Sequence, residues 1–307
     1  MKKINNWHQL FCQNITPLNK LKDYLGIELS VKRDDLNHEI IQGNKLRKLK
    51  YNLKSAIDDD YEYIATFGGA WSNHILATAK AASICGIKSI GFIRGDELEN
   101  HEEKWSSTLK KAVMFGMELV FISRQEYSLK EGSVVVKKRL VQSGKNTYIF
   151  PEGGSNFLAV KGVMEVVDEL VEQIKEPTHI VTACGTAGTL AGLIDGVAKH
   201  GWNTNIVGIP VLKGAEFLLK DVQNFSKFYS QVSWQLYCDY HAGGYAKINT
   251  ETLTFAKLFT KKNNIKLDKI YTAKAFYATY DLINKGIISK GSRVVILHTG
   301  GLQGGVI

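Results

Sequence analysis

The chain has 307 residues, 44% apolar and 22% charged, a balance that excludes a disordered tail, a collagen-like repeat and a small disulfide-stapled domain. Lys and Arg number 39 against 30 Asp and Glu, a net charge of +9, yet no aromatic-and-arginine patch accompanies the basic run Lys45, Arg47, Lys48 and Lys50, so nucleic-acid binding is not expected. Cys12, Cys85, Cys184 and Cys238 lie far apart without a CxxC pair, which argues for reduced thiols and against both a disulfide framework and a metal site.

At the N-terminus, Asn5, Asn6, His8 and Gln9 interrupt any apolar signal region behind Met1-Lys2-Lys3. No run of about 18 apolar residues follows. A cytoplasmic protein without a membrane span is therefore expected. Leu29 to Val31 reads as a strand. Gln42 to Lys50 then opens a helix in which Leu46, Leu49, Leu53 and Ala56 make a buried stripe. Asn44 is expected at its N-cap and Lys45 in its first turn. The positive end of a helix dipole disfavours a lysine's cation, the direction needed by an amine that forms Schiff bases. A solvated surface lysine is the plain alternative.

Tyr63 to Thr66 forms the next strand and leads into Thr66-Phe-Gly-Gly-Ala-Trp-Ser-Asn-His74. Ser72 or Asn73 can cap the helix that begins near Ile75. The three hydrogen-bonding groups from Ser72 to His74 equally suit a ligand crevice. Ser89 to Ile93, Leu119 to Ile122 and Tyr148 to Phe150 follow as strands. Four consecutive strand candidates between Tyr61 and Phe150 point to one smaller sheet. Residues 51–150 are thus expected as an inserted domain, and 1–50 with 151–307 as a larger one.

Ile180 to Ala183 runs into Gly185-Thr186-Ala187-Gly188-Thr189 and a helix. Backbone N–H groups, the two threonine hydroxyls and the helix N-terminus would together cradle an anion. The loop lacks both GxGxxG spacing and the trailing lysine of a P-loop, so a compact monophosphate is the better guest. A tight strand-to-helix turn is the bland alternative. Ile206 to Ile209 and Val294 to Leu297 complete the strands, and continuous apolar runs of this kind suit parallel sheets covered by helices on both faces. Glycine pairs at 68–69, 153–154, 243–244 and 300–301 mark loops, and open α/β sheets bind ligands in loops at the carboxyl ends of their strands. A Schiff-base lysine and a monophosphate cradle together suggest pyridoxal phosphate.

Ordered along the chain are GNKLRKL, GGAWSNH, PEGGSN, CGTAGTLAGL, GGY and IYTAK, framed by Thr16-Pro17-Leu18, Val31-Lys-Arg-Asp-Asp-Leu36 and the terminal His298-Thr-Gly-Gly301. In these motifs the sequence resembles the aminocyclopropane-carboxylate deaminase and D-cysteine desulfhydrase family, fold-type-II pyridoxal-phosphate enzymes, over nearly its whole length. The resemblance implies an α/β fold of two open-sheet three-layer domains of the tryptophan-synthase-β type, with mostly parallel strands and the cofactor in the larger domain. It implies that Lys45 carries pyridoxal 5'-phosphate as a Schiff base and that Asn73 meets the cofactor's ring oxygen. Cys184, Gly185, Thr186, Ala187, Gly188 and Thr189 would form the phosphate loop. Ser72 matches the family serine beside the reacting carbons and the substrate carboxylate, with Trp71, Asn73 and His74 beside it. Tyr245 and Tyr271 match tyrosines that flank the substrate and help move protons. A homodimer is implied by analogy, and no metal.

Thr272 is informative because the family places glutamate or threonine there, against the pyridine nitrogen. Glutamate marks the deaminases, since a carboxylate keeps that nitrogen protonated. A hydroxyl leaves it largely neutral and suits simple loss of a β substituent. The implied reaction is β-elimination from a small, D-cysteine-like amino acid, giving pyruvate, ammonia and sulfide. The alternatives are 1-aminocyclopropane-1-carboxylate deamination and, from another class, non-catalytic binding of a phosphorylated ligand. Two positions depart from the family pattern: Trp71, where glutamine is frequent, and Ala246, where glycine is common.

Overall fold

A computed structural model describes residues 2–12, 15–142 and 146–307. In chain order its strands are β1 (Leu18–Lys20), β2 (Glu28–Lys32), β3 (Tyr63–Gly68), β4 (Lys88–Arg94), β5 (Met117–Ile122), β6 (Thr147–Ile149), β7 (His179–Cys184), β8 (Asn205–Pro210), β9 (Trp234–Leu236) and β10 (Arg293–Leu297). The chain divides into two compact units, Met1–Gln13 with Lys48–Ser155 and Asn14–Arg47 with Asn156–Ile307.

The larger unit holds a six-stranded sheet of order β1-β2-β10-β7-β8-β9. Every pairing is parallel except β1 with β2. Alternate side chains of one strand point to opposite faces, and this separates two cores. Val181, Ala183, Val294 and Ile296 pack with Phe259, Phe276 and Leu282 on one face. Ile180, Cys184, Val295 and Leu297 pack with Val163, Val167, Leu190 and Ile194 on the other. Helices therefore cover both faces, which is why β10 reads as an unbroken apolar run.

The smaller unit repeats this logic with four parallel strands in the order β5-β4-β3-β6. Ala65, Phe67, Ile90 and Phe92 pack with Tyr127 and Val136, while Ile93, Met117 and Phe121 join Ile75, Ala79 and Leu109. Both units are three-layer α/β structures of the expected kind.

Boundaries differ from expectation at three places. Residues 1–13, 48–50 and 151–155 group with the smaller unit rather than the larger. The helix Lys2–Phe11 buries Trp7, Leu10 and Phe11, a spacing of three and four residues that lines one helix face. Trp7 Nε1 donates to Lys50 O at 2.8 Å and Asn6 Nδ2 to Ile84 O at 2.8 Å, fixing this helix to the smaller unit. Among the described residues no helix is long and apolar enough to cross a membrane.

Candidate active site

In the larger unit the site starts from a turn that admits no side chain. Gly43 has φ +66°, and a Cβ there would lie 1.9 Å from Thr299 O. Asn37 clamps the turn from its side chain, accepting from Gly43 N at 2.8 Å and donating to Gly43 O at 2.9 Å. Helix Asn44–Asp58 starts directly after it. Asn44 is the first helical residue, and its side chain points away from a capping role. Its Nδ2 donates to Thr189 Oγ1 at 2.8 Å, and its Oδ1 accepts from Lys45 Nζ at 3.0 Å.

One turn further on, Arg47 anchors the same helix. It donates to Asp34 Oδ1 at 2.8 Å and to Glu169, and Lys32 Nζ lies 2.6 Å from Glu169 Oε2. Burial pushes the Glu169 carboxyl up, but its bonds from Arg47 and Lys32 prevail and hold it at about 2. The network fixes the axis along which Lys45 projects. Lys45 is half-buried, and burial brings its ammonium down to about 8 against the opposing field of Asp268.

Lys45 Nζ sits 6.0 Å from the centre of the Tyr271 ring. That ring also covers the loop after β7, because a Cβ on Gly185 would come within 2.9 Å of Tyr271 Cε1. Helix Gly188–Lys199 begins beyond the loop, with Thr189 buried beside its first amides. Tyr271 meets Tyr245 edge to face, ring centres 6.3 Å apart and hydroxyls 3.5 Å apart. Asp268 sets this side of the site. Its carboxylate accepts from the amides of Ile270, Tyr271 and Thr272 at 2.8–2.9 Å, capping helix Thr272–Asn284.

Thr272 is fully buried, and its hydroxyl is held twice by the same residue. It donates to Asp268 Oδ1 at 2.7 Å and accepts from Asp268 N at 2.8 Å. A hydroxyl has one proton to give. Toward any further partner Thr272 can therefore only accept, and a carboxylate stands directly behind it.

The smaller unit carries the second group of expected residues. Ser72 Oγ accepts from Ile75 N at 3.4 Å and caps helix Asn73–Cys85. Asn73 Oδ1 is buried with no hydrogen-bond partner among the described residues, a condition that costs free energy unless a ligand answers it. Trp71 is 52% exposed. His74 does not fit the role of a substrate contact. It is 1% exposed, its Nε2 lies 2.9 Å from Thr66 Oγ1, and a Cβ on Gly154 would reach within 2.7 Å of its ring. It packs the interior because the third residue of a capped sequence has already rotated onto the helix's buried face.

The family model for pyridoxal-phosphate dependent enzymes matches residues 11–300. The chain belongs to this family. A Pyrococcus furiosus relative assigned by name to 1-aminocyclopropane-1-carboxylate deaminase is 33% identical over 94% of this chain and 88% of its own. The mitochondrial bifunctional D-cysteine desulfhydrase/1-aminocyclopropane-1-carboxylate deaminase of Arabidopsis thaliana is 30% identical over 91% of this chain and 73% of its own. The crystal structure of an ACC deaminase homologue superposes with a TM-score of 0.85 at 29% identity, covering 97% of this chain and 95% of the other.

The protein is thus a pyridoxal-phosphate enzyme, and its residues fit that cofactor. Lys45 supplies an amine of lowered basicity. The turn Gly185–Gly188 leads into the free N-terminal amides of a helix, a setting that would suit a single phosphate. Cys184 belongs to the loop by backbone only, since its side chain is 1% exposed and packs in the core with Leu190. Reasoning from the sequence missed Asp268, Lys274 and the Thr299 carbonyl that seats Gly43. An aspartate whose side chain reaches the amide two residues on makes an Asx turn, and that local pattern is the sequence feature that points to Asp268.

Proposed function

We propose that this enzyme is a D-cysteine desulfhydrase-like lyase: Cα–H and Cβ–S of a small amino acid break, a Cα–Cβ double bond forms, and the released aminoacrylate hydrolyses to pyruvate and ammonia beside the expelled hydrosulfide. The observation that carries the reading is Lys45, half-buried with a pKa of about 8 and joined through Asn44 to Thr189. Bound pyridoxal phosphate supplies an electron sink for the pair left on Cα when its proton departs. Lys45 Nζ holds the cofactor and then takes the α proton, a role suited to an amine whose pKa lies near neutrality. Gly185, Thr186, Ala187, Gly188 and Thr189 hold the phosphate. Ser72 and Asn73 orient the substrate carboxylate and the ring oxygen, and the Tyr245–Tyr271 pair moves a proton toward the leaving group. A homodimer in the cytoplasm completes the reading.

Support for the D-cysteine branch comes from Thr272, which brings no carboxylate of its own, while the name of the Arabidopsis relative carries both activities. One observation favours 1-aminocyclopropane-1-carboxylate deamination as the second reading. Asp268 backs the Thr272 hydroxyl at 2.7 Å, so a carboxylate acts on this position through one intervening hydroxyl. The deciding experiment is the visible spectrum of the holoenzyme before and after each amino acid, with pyruvate and sulfide assayed together. Pyruvate with sulfide from D-cysteine is expected. Turnover of the cyclopropane alone would replace the first reading by the second.

A further inference from the structure

Lys274 is fully buried, one turn into helix Thr272–Asn284, and takes no part in the chemistry above. Its Nζ donates to Gly244 O at 2.9 Å and to Val211 O at 3.3 Å. Those carbonyls belong to two different segments: Val211 immediately follows β8, and Gly244 immediately precedes Tyr245. A buried ammonium is expensive unless its donors are used for something a hydrocarbon could not do. Methionine would fill the same volume, so filling space does not account for a lysine here.

The segment it reaches needs holding. Ala242, Gly243, Gly244 and Ala246 all have positive φ, at 51°, 95°, 117° and 59°. Two of these are alanines, for which the left-handed region is strained. Such backbone persists only where surrounding groups over-determine it. Tyr245 sits in the middle of this segment, 38% exposed, with its hydroxyl 3.5 Å from that of Tyr271. Tyr271 stands three residues before Lys274 on the same helix start. One short stretch therefore presents Tyr271 to Lys45 and grips the backbone next to Tyr245.

We propose that Lys274 is a positioning residue: by bonding the Gly244 carbonyl it holds the strained 242–246 segment so that Tyr245 stays against Tyr271. The inference rests on the reading of these two tyrosines as proton-moving residues. It gives the otherwise unexplained buried cation a specific task.

The test uses the holoenzyme and three variants, Lys274→Met, Tyr245→Phe and the double variant. In Lys274→Met, amide hydrogen exchange across residues 242–247 should rise by roughly ten- to a hundredfold, the loss of one charge-assisted hydrogen bond, while helix Thr272–Asn284 stays protected. On the amino acid that wild type turns over, kcat should fall with KM little changed. The loss in the double variant should match that of Tyr245→Phe alone, because a residue that works through Tyr245 has nothing left to position. Unchanged exchange at 242–247, or losses that multiply in the double variant, would overturn the proposal. If Lys274→Met does not fold, Lys274→Gln carries the same comparison. A wild-type enzyme inactive on D-cysteine would count against the proposed substrate and leave the exchange result to decide Lys274.

Discussion

Asn44 Nδ2 donates to Thr189 Oγ1 at 2.8 Å, so one side chain ties the start of helix Asn44–Asp58 to the first turn of helix Gly188–Lys199. Its other end receives Lys45 Nζ at 3.0 Å. Asn44→Ala removes both bonds and leaves a buried hydroxyl without its donor. Cofactor affinity should weaken roughly ten- to a hundredfold, the equivalent of about 1.5–3 kcal/mol. Titration of the apoenzyme with pyridoxal phosphate, followed by absorbance, measures this directly.

In the proposed role, Lys45 must be neutral to attack the cofactor's aldehyde. Burial has lowered its pKa to about 8, and deprotonation proceeds as pH rises. The rate of cofactor capture by apoenzyme should therefore climb through pH about 8 and level off above it, well below the ~10.4 of an ordinary lysine. Stopped-flow absorbance across this range checks it, with Lys45→Ala as the variant that acquires no visible band. A climb displaced to the ordinary lysine range would contradict the buried setting described.

Glu169 gives the fold an acid-sensitive element. Its carboxyl is lowered in the folded chain from 4.5 to about 2, so the folded state binds this proton less readily than the unfolded state does. The stabilisation is complete above the unfolded value and disappears as pH falls through the folded one. Unfolding midpoints should drop between pH 4.5 and about 2, and Glu169→Gln should flatten that part of the profile. The same variant should be destabilised at neutral pH by roughly 3–5 kcal/mol, since it leaves Arg47 and Lys32 short of a counter-charge.

Ala246 explains a departure noted in the sequence. Its φ of +59° lies in the left-handed region, where glycine would be unstrained. Relief of about 1–2 kcal/mol outweighs the usual ~0.5–1 kcal/mol entropic cost of glycine. Ala246→Gly should therefore raise the unfolding free energy by about 0.5–1 kcal/mol, reversing the ordinary sign of this substitution. Denaturant unfolding of the two proteins side by side settles the sign.

Legibility followed the range of the forces involved. The eight strands read from apolar runs are all present, seven because buried positions write themselves into consecutive residues and β6, itself only partly buried, because Phe150 just beyond it is buried. β1 and β9 were missed: each has three residues and none fully buried, so neither leaves a hydrophobic trace. Chain adjacency places residues 1–50 in the larger domain, whereas Lys50 and Ile84, the partners of the helix Lys2–Phe11, lie in the smaller unit. Lys45 in the first turn of its helix and the Gly185 turn before the next are legible because helix ends are local features. Asp268 is local too, bonding residues two to four positions on, whereas the carbonyls that Lys274 reaches and the packing of Gly154 against His74 lie far off in sequence.

The ring of Tyr271 occupies the space that a side chain at position 185 would need, its Cε1 lying 2.9 Å from where that Cβ would be. Alanine at 185 would therefore oblige the ring at 271 to move, and with it the edge that faces Tyr245. A methyl group added on one side of the turn would be felt at a hydroxyl on the other.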